Sequence, residues 1–262
     1  MVDYRRCSPD DSLAGVVEHY WSVIAPAPPG PLRAVLVPNG RATVQFCLGS
    51  PGTRRAVGGV AEPNADVFLP VGTEPLVIEQ EGASHYVGVQ CTPWGGRALF
   101  PHLTGGRAVQ VEHALGPLPE KSGLVEDPAS TLDGWLRAFL PARVPHQELL
   151  AAATERIDAD PSGVEVHQLH RGLGVSASTL YRAFRRGIGL SPKQYIQVMR
   201  HRAFTDRLVV DASGEPAALM AALAGYADQS HASREFSRFT GMTASTFRDT
   251  YDGIARLMAR PG

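Results

Sequence analysis

The 262-residue sequence predicts an α+β chain of two domains. Residues 1–145 read as a small β-barrel or sandwich with a few helices. Residues 146–262 read as an all-α domain with two helix-turn-helix units joined by a long helix. Three observations predict this. Short Val/Thr/Phe-rich runs bounded by Gly, Pro or Asp follow one another from about Leu32 to Thr92. After His146, apolar residues recur at the 3-4 spacing of amphipathic helices. Within that second half, one helix–glycine turn–helix pattern occurs twice.

The strands begin in "RAVLVPNGRATVQFCL", where Asn39-Gly40 between two β-prone runs predicts a hairpin. "DVFLPVG", "PLVIEQEG" and "SHYVGVQCTP" follow as further strands. "PWGGRALFPHLTGG" predicts one short helix between Gly-rich ends, and "PLPEKSGLVEDPAS" a polar, Pro-rich loop. "TLDGWLRAFL" predicts a helix, and "PARVP" a joint ahead of the helical half.

In the first helical unit, Ser162 and Glu165 have the spacing of a capping box, and Leu169 and Leu173 supply apolar positions. After the turn "GLGVS", Ser176 caps a second helix. Its Ala177, Leu180, Phe184 and Ile188 form a stripe to be buried, leaving Ser178, Thr179, Arg182, Arg185 and Arg186 on the opposite face. Pro192 opens the long helix "SPKQYIQVMRHRAFTDRLVV", since proline suits a first turn. The second unit repeats the plan. Pro216 starts a helix, Gly225 ends it, and Asp228 or Ser230 caps the next. That helix sets Ala232, Phe236 and Phe239 against Gln229, Ser230, Ser233, Arg234, Ser237 and Arg238. Arg182 and Phe184 of the first unit correspond to Arg234 and Phe236 of the second.

Charge is divided along the chain. Residues 1–150 hold 11 Lys/Arg against 15 Asp/Glu, and residues 151–262 hold 14 against 11, so an acidic half precedes a basic one. The basic half suits a polyanion. The start of the chain lacks the order of a signal peptide, and no apolar run approaches the ~20 residues of a membrane span. Three widely spaced cysteines form neither a disulfide framework nor a zinc pattern, which predicts a cytoplasmic protein. Cys47 and Cys91 lie in apolar strands and read as packed thiols. No His-x-His occurs, and His85, His102 and His113 are too far apart in sequence to propose a metal site. No nucleophile triad or carboxylate pair stands out. No cofactor, metal or catalytic residue is expected.

The stretch "AGYADQSHASREFSRFTGMTASTFRD", Ala224 to Asp249, resembles the DNA-binding domain of the AraC/XylS family of transcription regulators. "LGVSASTLYRAFRRGIGLSPKQYI", Leu173 to Ile196, resembles that family's first unit and connecting helix. The chain departs from the family pattern at Ala244, Ala232 and His170. The N-terminal half resembles the β-rich, cupin-like sensor domains that precede this module. The resemblance implies that Ser178, Thr179, Tyr181, Arg182, Gln229, Ser230, Ser233 and Arg234 face bases. These residue types match base edges: arginine to guanine, glutamine to adenine, serine and threonine to either. Ser176, Arg185, Arg186, His231 and Arg238 fall to the phosphates. The partners implied are double-stranded promoter DNA, a small-molecule effector, RNA polymerase and a second copy of the chain, with no membrane. Two other classes compete with this reading. One is a metal-dependent β-barrel enzyme carrying the module as an address, and the other is an architectural protein that binds DNA without sequence preference.

Overall fold

Ten strands in a computed structural model form two separate sheets, and the model describes residues 2–103, 105–210, 229–240, 242, 243 and 247. The strands are β1 Asp3–Cys7, β2 Val17–Ala25, β3 Leu32–Leu36, β4 Thr43–Cys47, β5 Gly52–Ala56, β6 Glu62–Asn64, β7 Val67–Leu69, β8 Leu76–Gln80, β9 Ser84–Cys91 and β10 Val109–Gln110. One sheet runs β1-β2-β9-β4-β7-β10 and the other β3-β8-β5-β6. Among the described residues no strand of one pairs with a strand of the other, so the predicted barrel is not closed.

The Asn39-Gly40 hairpin is a second correction. β3 pairs with β8, whereas β4 pairs with β7 and β9, so the corner carries the chain from one sheet to the other. Gly40 does take the left-handed φ of 73° that such a turn requires. The turn chemistry was therefore right and the pairing wrong, because local sequence does not choose the partner strand. The sequence also left β1 and β2 unassigned. In β2, "VEHYWSVIA", Tyr20 goes to one face and Trp21 and Val23 to the other, as a strand with two covered faces requires.

Four helices cover one face of the larger sheet: α1 Gly95–Leu99, α2 Val111–Ala114, α3 Lys121–Glu126 and α4 Pro128–Arg137. α1 stands where one short helix was expected. The expected loop over "PLPEKSGLVEDPAS" instead holds α3 and the first turn of α4. Asp127 caps α4 by accepting from the Ser130 N–H at 3.1 Å, and Pro128 opens the helix. The core under these helices joins Tyr20, Val44, Phe46, Phe68, Val87 and Val89 of the sheet to Phe100, Leu124, Leu132 and Leu136.

His146, whose φ of 57° is left-handed, stands one residue before α5 Gln147–Ala159. Next come α6 Val166–Gly172, α7 Ala177–Gly187, α8 Pro192–Val210 and α9 Gln229–Thr240. The core of the helical half is built from Leu150, Ile157, Leu169, Leu180, Phe184, Ile188 and Tyr195, and Trp94 of the strand-rich half packs into it. Ser162 does not cap α6: the helix starts at Val166, with Glu165 at the cap position and no side-chain bond there. Pro161 to Gly163 form a turn, held by Asp160, which accepts from the Gly163 N–H at 2.9 Å. The expected helix from Pro216 and the caps at Gly225 and Asp228 lie outside the described residues. No helix among the described residues is long and apolar enough to cross a membrane.

Candidate nucleic-acid interface and inter-sheet cavity

The second helix of the first unit, α7, is anchored at both ends by its own sequence. Ser176 Oγ accepts from the Thr179 N–H at 3.1 Å, the expected N-cap. At the other end Arg185 Nη1 donates to the Gly189 carbonyl at 2.8 Å, and Gly189 turns the chain with a φ of 99°. Leu180, Ala183, Phe184 and Ile188 are buried, while Ala177, expected in that stripe, is exposed. The remaining face presents Ser178, Tyr181, Arg182, Arg185 and Arg186 to solvent, with Thr179 half-buried beside the cap. Tyr181 is 53% exposed, so it does not pack into the domain. A buried aliphatic-aromatic stripe thus holds down a helix whose other side carries hydroxyls and guanidiniums at i, i+4 and i+7. Such a surface fits a major groove and can donate to bases or phosphates.

In α9 the corresponding positions behave alike. Ser230, Ser233 and Arg234 are exposed. Phe236 is fully buried, edge-on to Phe204 at 5.4 Å and to Phe247 at 5.3 Å. The side chains of Gln229, His231, Arg238 and Phe239 lie outside what the structure describes.

A cavity of about 210 Å³ lies between the two sheets. Leu32, Ala34, Leu36, Leu76 and Ile78 wall it on the smaller sheet, and Trp21, Val23, Thr43, Gln45, Tyr86 and Gln90 on the larger. Strand alternation sorts these side chains: Val44, Phe46, Val87 and Val89 enter the helix-covered core, while their neighbours Gln45 and Gln90 face the cavity. Gly88 makes room for Trp21, because a Cβ there would stand 2.3 Å from the indole ring. The wall is mostly apolar with a few fixed polar groups. Gln45 donates to Asn64 at 2.9 Å and Tyr86 to Gln80 at 3.3 Å.

Residues 169–250 match the family model described as helix-turn-helix domain, across both units and the helix between them. Residues 5–105 match a domain of unknown function, DUF6597. Residues 169–250 therefore carry a helix-turn-helix domain of the AraC type. No curated protein matches the sequence. Among solved structures, ToxT from Vibrio cholerae O395 is similar with a TM-score of 0.50 at 9% identity, over 97% of this chain and 98% of that one. Unsaturated fatty acid-bound ToxT from strain SCE256 is similar with a TM-score of 0.50 at 11% identity, over 88% and 99%. ToxT bound to (E)-4-(8-methylnaphthalen-1-yl)but-3-enoic acid is similar with a TM-score of 0.50 at 9% identity, over 95% and 98%. The chain shares their two-part architecture, a strand-rich part followed by a helical helix-turn-helix domain.

The two parts of the chain meet at Arg41. Its guanidinium donates to Glu18 at 2.9 Å, to Asp158 of α5 at 2.6 Å and to the Tyr195 hydroxyl of α8 at 2.9 Å. Tyr195 in turn donates to Asp158 at 3.1 Å. Burial works against the Arg41 charge, and the carboxylates of Asp158 and Glu18 outweigh it, so its pKa is raised. Burial also lifts Tyr195 well above its ordinary value, which keeps the hydroxyl protonated and able to donate. Sequence reading missed both the cavity and this seam. The signal for the cavity was present as amides, Gln45 and Gln90, set inside apolar strands, where a polar side chain calls for a partner.

Proposed function

We propose that the chain regulates transcription in the cytoplasm by binding double-stranded promoter DNA through α7 and α9, under the control of a small molecule held between the two sheets. The observation that carries the DNA reading is the division of α7: Phe184 and Leu180 buried, Ser178, Arg182 and Arg186 exposed. Ser178, Thr179, Tyr181 and Arg182 face bases in one major-groove segment, and Gln229, Ser230, Ser233 and Arg234 in the next. Ser176, Arg185, Arg186, His231 and Arg238 hold the phosphate backbone. Arg185 also caps its own helix end, so Arg186 is the stronger phosphate contact of the pair. We place the boundary between the parts at His146.

The cavity favours an effector with an apolar body and a few hydrogen-bonding groups, given its wall. That fold relatives have been solved with an unsaturated fatty acid and an arylbutenoic acid supports a small, largely apolar ligand. A second copy of the chain and RNA polymerase complete the partners we expect.

Selection of DNA from a random pool tests the proposal. One enriched sequence, bound with an affinity that falls steeply with salt, is the expected result. Salt-sensitive binding with no enriched sequence would leave an architectural DNA-binding protein instead.

A further inference from the structure

The Asn39–Gly40–Arg41 corner belongs to both functional regions at once. Val37, Pro38, Asn39 and Arg41 line the inter-sheet cavity, and Arg202 of α8 reaches the same cavity. The corner is stiff. Pro38 fixes one backbone angle, and the Asn39 carboxamide accepts from the Arg41 N–H at 3.1 Å. The Arg41 guanidinium folds back to donate to the Asn39 carbonyl at 3.1 Å. It is also wedged against the DNA-binding half: a Cβ on Gly40 would stand 2.7 Å from the Tyr195 ring and 3.2 Å from the Met199 sulfur. The Tyr195 ring packs edge-on against Phe184, the buried anchor of α7, with centroids 5.8 Å apart. A continuous set of contacts therefore runs from the cavity wall through Asn39, Gly40 and Arg41 to Tyr195, and through Phe184 to the helix that presents Arg182.

We propose that this corner is the coupling element of the regulator: occupancy of the cavity is read through Arg41 and Tyr195 as a change in how α7 is held. The proposal rests on the cavity being the effector site. It requires that the Arg41 network have two arrangements, of which a filled cavity favours one. Arg41 suits that role because it bonds Glu18 of β2, Asn39 of its own corner, Asp158 of α5, and Tyr195 and Met199 of α8. Shifting one partner makes the guanidinium redistribute its donors among the others. Displacing it outright would leave Asp158 and Glu18 facing each other without the cation between them.

The test uses the full chain and needs no known effector. Ala34→Phe fills the cavity from the middle of β3, away from the corner. Tyr195→Phe keeps the ring on Phe184 and removes the hydroxyl that accepts from Arg41 and donates to Asp158, while the direct Arg41–Asp158 ion pair stays. Affinity for the selected DNA site is measured for the native chain, each single variant and the double variant, with 1-anilinonaphthalene-8-sulfonate as the cavity probe. We expect Ala34→Phe to abolish dye binding and to change DNA affinity at least about threefold, and the change to shrink below about 1.5-fold in the Tyr195→Phe background. Equal changes in both backgrounds overturn the coupling. Loss of dye binding with unchanged DNA affinity also overturns it, while leaving the cavity reading in place. Failure of the native chain to bind the dye, or dye retained by Ala34→Phe, removes the cavity reading and the proposal with it. Should Tyr195→Phe fail to fold, Asp158→Asn takes its place with the same expectation.

Discussion

Arg182 and Phe184 stand two residues apart on α7, the first exposed and the second fully buried. Because they point to opposite sides, the exposed face can be changed without touching the core. Arg182→Ala should cost about 1–3 kcal/mol in binding the selected DNA and relax the preference at one base position. It should shift unfolding free energy by no more than about 0.5 kcal/mol. Phe184→Ala should instead cost about 3–5 kcal/mol of stability. Titration of labelled DNA and urea unfolding separate the two outcomes.

Arg186 is exposed in the last turn of α7, beside Arg185, whose guanidinium is committed to the Gly189 carbonyl. Arg186→Ala should weaken binding to selected and unselected DNA by similar factors. The slope of log affinity against log salt should become shallower by about 1. Measuring that slope for both variants checks the assignment, since Arg182→Ala is expected to alter sequence preference more than slope.

Ser176 satisfies a backbone N–H at the start of α7 that would otherwise be unpaired. Ser176→Ala should lower stability by about 0.5–2 kcal/mol, read from urea midpoints, and Ser176→Asp should restore most of it. If Ser176 also meets phosphate, Ser176→Asp will remain impaired in DNA binding while recovering stability.

His19 on β2 has its pKa lowered to about 4, first by burial and second by the charge of Arg6. The unfolded chain, with an ordinary histidine pKa near 6.5, binds this proton more readily than the folded one. The contribution is therefore fully present above pH 6.5 and is lost as pH falls toward about 4. Urea unfolding from pH 7 to pH 4 should show a shallower decline for His19→Gln than for the native chain.

Helix positions in the C-terminal half were legible because amphipathic spacing, serine caps and glycine ends are local signals. Ser176, Leu180, Phe184 and Pro192 all do in the fold what their spacing predicts. The exceptions are instructive. Ala177, the first residue after the Ser176 cap, is exposed, and Ala183 fills that core instead. Strands were legible as strands, but their partners were not. Asn39-Gly40 looks like a hairpin, and only the long-range pairing of β3 with β8 makes it a crossover. For the same reason Arg41, Asp158 and Tyr195, distant in sequence, gave no sign of meeting. The cavity was hidden because a filled core and a lined pocket read as the same alternation until the opposing sheet is placed.

If α7 and α9 each read their own stretch of DNA, Arg182 and Arg234 set preference at different base positions. Repeating the random-pool selection with Arg182→Ala and with Arg234→Ala tests it most directly. Each variant should lose preference at a different base position, the two positions lying about one helical turn, about 10 base pairs, apart. If both variants enrich the sequence that the native chain selects, with undiminished preference at every position, then these helices do not read DNA and the account fails.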